Sequence, residues 1–166
     1  MIFQYQRSNK IIEVLNDLIR IHNDRIAGYN YALDQSATIN TSLSATFEKI
    51  IADSKLYKNQ LSEKIKELNG NPLRGTTIFG KIYLAWTALK VTFPRNTSKA
   101  IIAACLYNEK IALHVYNAAL SSNLNLTKDI CDLIQKQELE LNKVYSTIDQ
   151  HRELHNIADH RLTFFV

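Results

Sequence analysis

The sequence predicts an all-α protein: four long helices in a bundle, arranged as two antiparallel hairpins joined by one long crossover. Three observations carry this. The 166 residues include four Gly and two Pro, too few chain-breaking residues for a turn-rich β architecture. Apolar residues recur at helical spacing through four long segments. Of the three connections between those segments, the outer two are short and polar and the middle one is long.

The first helix is expected over about 8–34, with Ile12, Leu15, Ile19, Ile26, Tyr29 and Leu33 on one stripe. The second is expected over about 42–68, with Phe47, Ile51, Leu61, Ile65 and Leu68 buried and Ser42 as N-cap. NGNP at 69–72 ends it, Gly70 suiting a left-handed C-terminal cap and Pro72 the exit. The third spans about 97–121. The fourth spans about 127–155, with Thr127 as N-cap and Asp129 in the first turn. DQSATINTS and SSNLN close the two hairpins. The crossover, about 70–97, carries an amphipathic piece, GKIYLAWTALKVTF, closed by Pro94, and a tail follows over 156–166. The whole, 1–166, is expected to form a single domain.

The net charge of +4 arises from 20 basic and 16 acidic residues scattered along the chain, which describes a solvated surface. MIFQYQRSNK lacks the features of a secretory signal, and no run approaches the roughly 18 apolar residues of a membrane span. A cytoplasmic protein is expected. Cys105 and Cys131 lack CxxC spacing and lie about ten residues apart in height, so both are expected as free thiols.

At about 100° per residue, each buried stripe has polar residues at or beside its centre. These are His22 on the first helix, Ser54 on the second, Asn108 and Glu109 on the third and Gln137 on the fourth. Counted from the hairpin loops, His22 is level with Ser54, and Glu109 with Gln137. One mid-bundle polar layer is therefore expected, with Glu109 accepting hydrogen bonds from Ser54, Tyr57 or His22 and Gln137 completing the set. His114 turns about 140° away from Glu109, so the two cannot form a ligand pair.

Three stretches, LNDLIRIHNDRIAGYNYAL (15–33), GTTIFGKIYLAWTALK (75–90) and YNEKIALHVYNAAL (107–120), resemble a bacterial domain-of-unknown-function family of ferritin-like four-helix-bundle proteins. The resemblance spans about 10–150 and implies a ferritin-like fold, with no activity attached. The wider superfamily places Glu on helices one and three and Glu-x-x-His on helices two and four. On this chain the pattern falls on His22, on Ser54 with Tyr57, on Glu109, and on Gln137 with Glu140. Only Glu109 matches, and no Glu-x-x-His occurs in the sequence. A metal pair needs several anionic oxygens, which Ser54 and Gln137 do not supply.

No catalytic constellation or phosphate loop is present. The leading reading is a non-catalytic structural or interaction protein, stress-related, with a degenerate di-iron site and no required cofactor. The alternative is one Zn, Fe or Mn ion held by His22, Glu109 and Glu140, and a second alternative is a small ligand in the mid-bundle pocket. His151 and His155 could clasp an ion but lack a third ligand, and LTFFV at the C-terminus suits a homo-oligomer interface. Arg74, Lys81, Lys90, Arg95 and Lys99 cluster without the aromatic interleaving of a nucleic-acid site. The lysine-flanked crossover helix is expected to cover the bundle, not to lie on a membrane. The protein partner stays unassigned.

Overall fold

A computed structural model describes residues 2–34, 41–73 and 98–163, with side chains over 6–34, 41–73 and 98–154. Four helices are present, α1 (Ile2–Asp34), α2 (Thr41–Glu67), α3 (Ser98–Leu120) and α4 (Lys128–Thr163), with no strand among the described residues.

Cross-helix contacts fix the direction of each helix. Asn23 meets Lys58 and Tyr29 meets Phe47, so α1 and α2 are antiparallel. His22 meets Tyr116 while Tyr29 meets Glu109, so α1 and α3 are antiparallel as well. The pairs Tyr116 with Gln137 and Lys110 with Tyr145 set α4 against α3. The order is therefore up-down-down-up. Because α2 and α3 run the same way, no short turn can join them, which agrees with the long connection in the sequence. α1 packs along α2 and α3, and α4 along α3 and α2.

Two helices are longer than expected: α1 begins at Ile2 and α4 continues to Thr163, through residues expected as tail. Neither extension contains Gly or Pro, and the 3.6-residue repeat meets nothing that would stop it. Thr41 starts α2, which puts Ser42 inside the helix. Thr127 does precede α4: its carbonyl accepts the Cys131 N–H at 3.0 Å. The exposed Asp129 carboxylate is held down at a pKa of about 2, first by a hydrogen bond from Thr127 and then by Lys64.

The C-terminus of α2 differs from expectation by one residue. Asn69, not Gly70, has the left-handed conformation, with φ 57°. The Gly70 N–H bonds the Ile65 carbonyl at 2.9 Å and the Asn69 N–H bonds that of Lys66 at 2.8 Å, the paired closure of a Schellman motif. Gly70 meets a different constraint: a Cβ there would lie 2.7 Å from Ile12 Cδ1 and 3.0 Å from Ile65 Cγ2, so those side chains would have to shift.

Two apolar clusters fill the bundle, one toward each end. Tyr29, Phe47, Ile50, Ile102 and Ile148 belong to the first, and Leu15, Leu18, Leu61, Ile65 and Ile134 to the second. Burying each such side chain contributes about 1.5–3 kcal/mol. Cys105 is buried and Cys131 partly buried, and both are free. No helix among the described residues is long and apolar enough to cross a membrane. The amphipathic crossover piece, Arg74, Lys81, Lys90, Arg95 and the closing Phe164, Phe165 and Val166 lie outside the described residues, as do the side chains of His155 and His160.

Candidate functional site: a polar centre between two apolar clusters

Arg25, in the C-terminal third of α1, is 1 % exposed. It stands three residues after His22 and four before Tyr29, so helical geometry places all three on one face, turned into the bundle. Its guanidinium grips Glu109 of α3 with two parallel bonds, Nε donating to Oε1 at 3.0 Å and Nη2 to Oε2 at 3.1 Å. Nη1 donates to Ser54 Oγ of α2 at 2.8 Å. The Tyr29 hydroxyl donates to Glu109 Oε1 at 2.7 Å. Three helices thus converge on one bidentate ion pair that is sealed from solvent.

Burial opposes the charge on Arg25, but the Glu109 carboxylate more than offsets it and raises its pKa above the ordinary value. The Tyr29 hydroxyl is pushed well upward by burial and then by the neighbouring Glu109 charge, so it remains a donor. Burial, with Glu109 adding to it, also raises the Cys105 thiol, which stays protonated and unreactive.

A second tier adjoins the first. His22 Nε2 lies 2.6 Å from the Tyr116 hydroxyl, which donates to Gln137 Oε1 at 2.7 Å. Gln137 Nε2 passes the chain on to Gln60 Oε1 at 3.0 Å and approaches the Tyr57 carbonyl at 3.5 Å. The Tyr116 hydroxyl thus links the His22 ring to the Gln137 amide. His22 Nδ1 is buried and without a hydrogen-bond partner among the described residues. Burial, followed by the charges of Arg25 and Lys58, lowers the His22 pKa well below the ordinary value and keeps the ring neutral. The Tyr57 ring packs edge-on to His22 with centroids 5.5 Å apart.

Of the residues expected in the polar layer, His22, Ser54, Glu109 and Gln137 are buried and joined to it. Tyr57 joins through its ring and carbonyl. Glu109 receives its bonds from Arg25 and Tyr29 instead of His22 or Tyr57, and Ser54 reaches it only through Arg25. Asn108 is fully buried but its amide has no partner among the described residues. It sits about 100° around α3 from Glu109 and cannot share its face. The single layer also separates into two tiers. Side chains lean toward the N-terminus of their own helix, so Glu109 and Gln137, level by count, lean apart on antiparallel helices. Tyr116, seven residues nearer the loop, leans toward Gln137 and becomes its partner.

The three residues expected to hold a single ion do not form a metal centre. Glu140 is partly exposed and bonds Lys143 at 2.7 Å, both Glu109 oxygens are taken by Arg25, and His22 Nε2 is committed to Tyr116. No group of three or more His, Cys, Asp or Glu among the described residues could hold an ion. His114 is exposed, as its helical phase requires. Arg25 was missed because arginine is seldom fully buried. Its spacing from His22 and Tyr29 was the available signal.

Comparison with known proteins agrees with this architecture. Residues 10–122 match the model of a domain of unknown function, DUF2383. No curated protein sequence matches the chain. Among solved structures, a Dps1 mutant from Mycobacterium smegmatis superposes with a TM-score of 0.70 at 15 % identity, over 89 % of this chain and 97 % of that one. A dodecameric thioferritin from Bacteroides fragilis gives 0.64 at 14 % identity over 100 % of both. A ferritin-like diiron-carboxylate protein from Bacillus anthracis gives 0.56 at 19 % identity, over 92 % and 96 %. At these identities the likeness establishes the ferritin-like four-helix fold and nothing finer.

Proposed function

Because the chain belongs to the DUF2383 family and folds as a ferritin-like bundle, we propose that it is a non-catalytic, self-associating structural or interaction protein, cytoplasmic and stress-related. The observation that supports this is the Arg25–Glu109 pair. Ferritin-like dimetal centres draw on several inward carboxylates and imidazoles. Here the central carboxylate is neutralised by a guanidinium, and it accepts a further hydrogen bond from Tyr29. An ion entering beside Glu109 would meet a buried positive charge, and Ser54 and Gln137 offer no negative oxygen against it. The donor set therefore does not fit a metal pair.

Self-association rests on fold likeness, one similar structure being a dodecamer, and on the apolar side chains left at the surface. Leu56, Tyr107, Leu139 and Leu154 are each at least half exposed.

Elemental analysis after purification without chelators, combined with light scattering, tests the proposal. Absence of stoichiometric Zn, Fe or Mn and a mass that is a multiple of one chain are expected. A full equivalent of metal, or a monomer at all concentrations, overturns it. A second reading, a small polar ligand near the polar centre, draws on the buried His22 Nδ1 and Asn108 amide, which have no partner among the described residues. Native mass spectrometry showing a retained non-protein mass would favour it.

A further inference from the structure

We propose that Asn69 is a deamidation site which two residues of α1, Ile12 and Asn16, hold closed, and that its modification leaves the end of α2 permanently weaker. The inference is independent of the function proposed above.

The chemistry begins in the sequence. A backbone amide nitrogen can attack the side-chain carbonyl carbon of a preceding asparagine, most readily when that nitrogen belongs to glycine, which has no side chain to obstruct the approach. Asn69 is the only asparagine of the chain followed by glycine. Asn71, two residues on, precedes Pro72, whose nitrogen bears no proton and cannot close the ring in this way. Asn69 is also exposed, so water and base reach it. In the first step the Gly70 nitrogen loses its proton and bonds to Asn69 Cγ. The bond from Cγ to the side-chain nitrogen breaks, and that nitrogen leaves with the proton as ammonia. Water then opens the five-membered imide at either carbonyl, giving aspartate or isoaspartate. No oxidant, reductant or cofactor takes part.

The fold restrains the nucleophile. The Gly70 N–H donates to the Ile65 carbonyl at 2.9 Å, and attack requires that bond to break. Ile12 packs against Gly70, a Cβ there lying 2.7 Å from its Cδ1, so the peptide cannot turn toward Asn69 Cγ unless that side chain moves aside. Asn16, one turn further along α1, fixes the chain beyond. Its Oδ1 accepts from the Leu73 N–H at 2.8 Å, and its Nδ2 donates to the Asn71 carbonyl at 3.4 Å. Both α1 residues are distant from Asn69 in sequence, so replacing them leaves the intrinsic reactivity of Asn69 and Gly70 unchanged. The products, in contrast, act on the helix end itself. The imide nitrogen has no proton to give Ile65, and isoaspartate adds a carbon to the main chain. Aspartate sets a negative charge beside the carbonyls at the C-terminus of α2, where the helix dipole disfavours it.

The rate of modification is then the intrinsic rate multiplied by the fraction of chains whose α2 terminus is open. Trypsin releases residues 67–74, ELNGNPLR, as one peptide, in which mass spectrometry reads deamidation as a gain of one mass unit and fragment ions assign it to Asn69. The wild type, Ile12→Ala, Asn16→Ala and Ile50→Ala are incubated whole at mildly alkaline pH beside the free synthetic peptide. Ile50→Ala, a cavity in the other apolar cluster, controls for general loss of stability. The wild type is expected to deamidate at least about tenfold slower than the peptide, and both α1 variants at least about threefold faster than the wild type. Ile50→Ala should keep the wild-type rate. If Ile12→Ala does not fold, Asn16→Ala, which removes two hydrogen bonds of a partly exposed side chain, decides alone. A wild-type rate equal to that of the peptide, an unchanged rate in a folded α1 variant, or equal acceleration by Ile50→Ala overturns the restraint. Earlier reaction at another asparagine overturns the site. Deamidated wild type, separated by its added negative charge, should melt at least about 2 °C below the unmodified chain. An equal Tm overturns the weakening of α2.

Discussion

A guanidinium at the centre of a helical bundle needs an acceptor for each side of its fork, and Arg25 finds them on two other helices. Such a pair contributes little net stability when whole and costs much when halved, because the surviving charge stays buried and unpaired. Arg25→Ala or Glu109→Ala is expected to lose about 3–5 kcal/mol in urea unfolding, whereas the apolar pair Arg25→Met/Glu109→Leu recovers most of that loss. Equal losses for the double variant and the singles would refute this account. The inward direction of Glu109 could be read from its phase on α3, as could those of His22, Ser54 and Gln137. Arg25 could not be assigned so easily, since spacing alone does not show whether a long charged side chain folds inward to a partner or extends into solvent.

His22 leads to a pH prediction at the same scale. Its pKa in the fold lies well below the ordinary 6.5. Below pH 6.5 the unfolded chain takes up a proton that the native ring refuses. The stability His22 contributes is complete above that pH and falls by about 1.4 kcal/mol per unit as the pH drops toward the native value. Half-buried Asp24 acts in the opposite sense. Burial raises its pKa from 3.8 to about 6, so the folded chain holds the extra proton between those values and gains stability as the pH falls through 6. In the wild type the two trends oppose each other below pH 6. Asp24→Asn should uncover the acid destabilisation, and adding His22→Gln, which keeps a polar partner for Tyr116, should abolish it. Chemical denaturation between pH 7.5 and 4.5 reads both slopes.

At the scale of the element, the α2 terminus separates two reasons for a small or permissive residue. Asn69 has the left-handed φ of 57°, which glycine tolerates better, so Asn69→Gly is expected to be neutral or stabilising by a few tenths of a kcal/mol. Gly70 is crowded by Ile12 and Ile65, and Gly70→Ala is expected to cost about 1 kcal/mol as those side chains shift aside. Melting both variants would expose a reversed order. The sequence places NGNP at the helix end, where caps are common. Which of the two residues turns left-handed depends on the hydrogen bonds to Ile65 and Lys66 and on where α1 passes, which are tertiary facts. Helix lengths follow a similar rule: periodicity located all four helices, but the outer limits of α1 and α4 lie where no breaker residue marks them.

For the whole molecule, the up-down-down-up order follows from one sequence property, the unequal lengths of the connections. The vertical register does not. It depends on side chains leaning toward their own N-termini, which is why one expected polar layer became two tiers. Those tiers lie between the two apolar clusters and together tie all four helices, α1, α2 and α3 through Arg25, Ser54 and Glu109, and α1, α3 and α4 through His22, Tyr116 and Gln137. Tyr29 and Tyr116 each pack their ring into one cluster and extend their hydroxyl into the polar centre, so neither end can loosen without disturbing it. The two ends are therefore expected to unfold as one unit. Ile50→Ala in the first cluster and Leu15→Ala in the second each create a cavity and should cost about 2–5 kcal/mol. Both should lower the midpoint of a single shared transition, seen identically by helical circular dichroism and tyrosine fluorescence. A variant that melts in two steps, with only the mutated end moving, would show that the polar centre divides the bundle instead of coupling it.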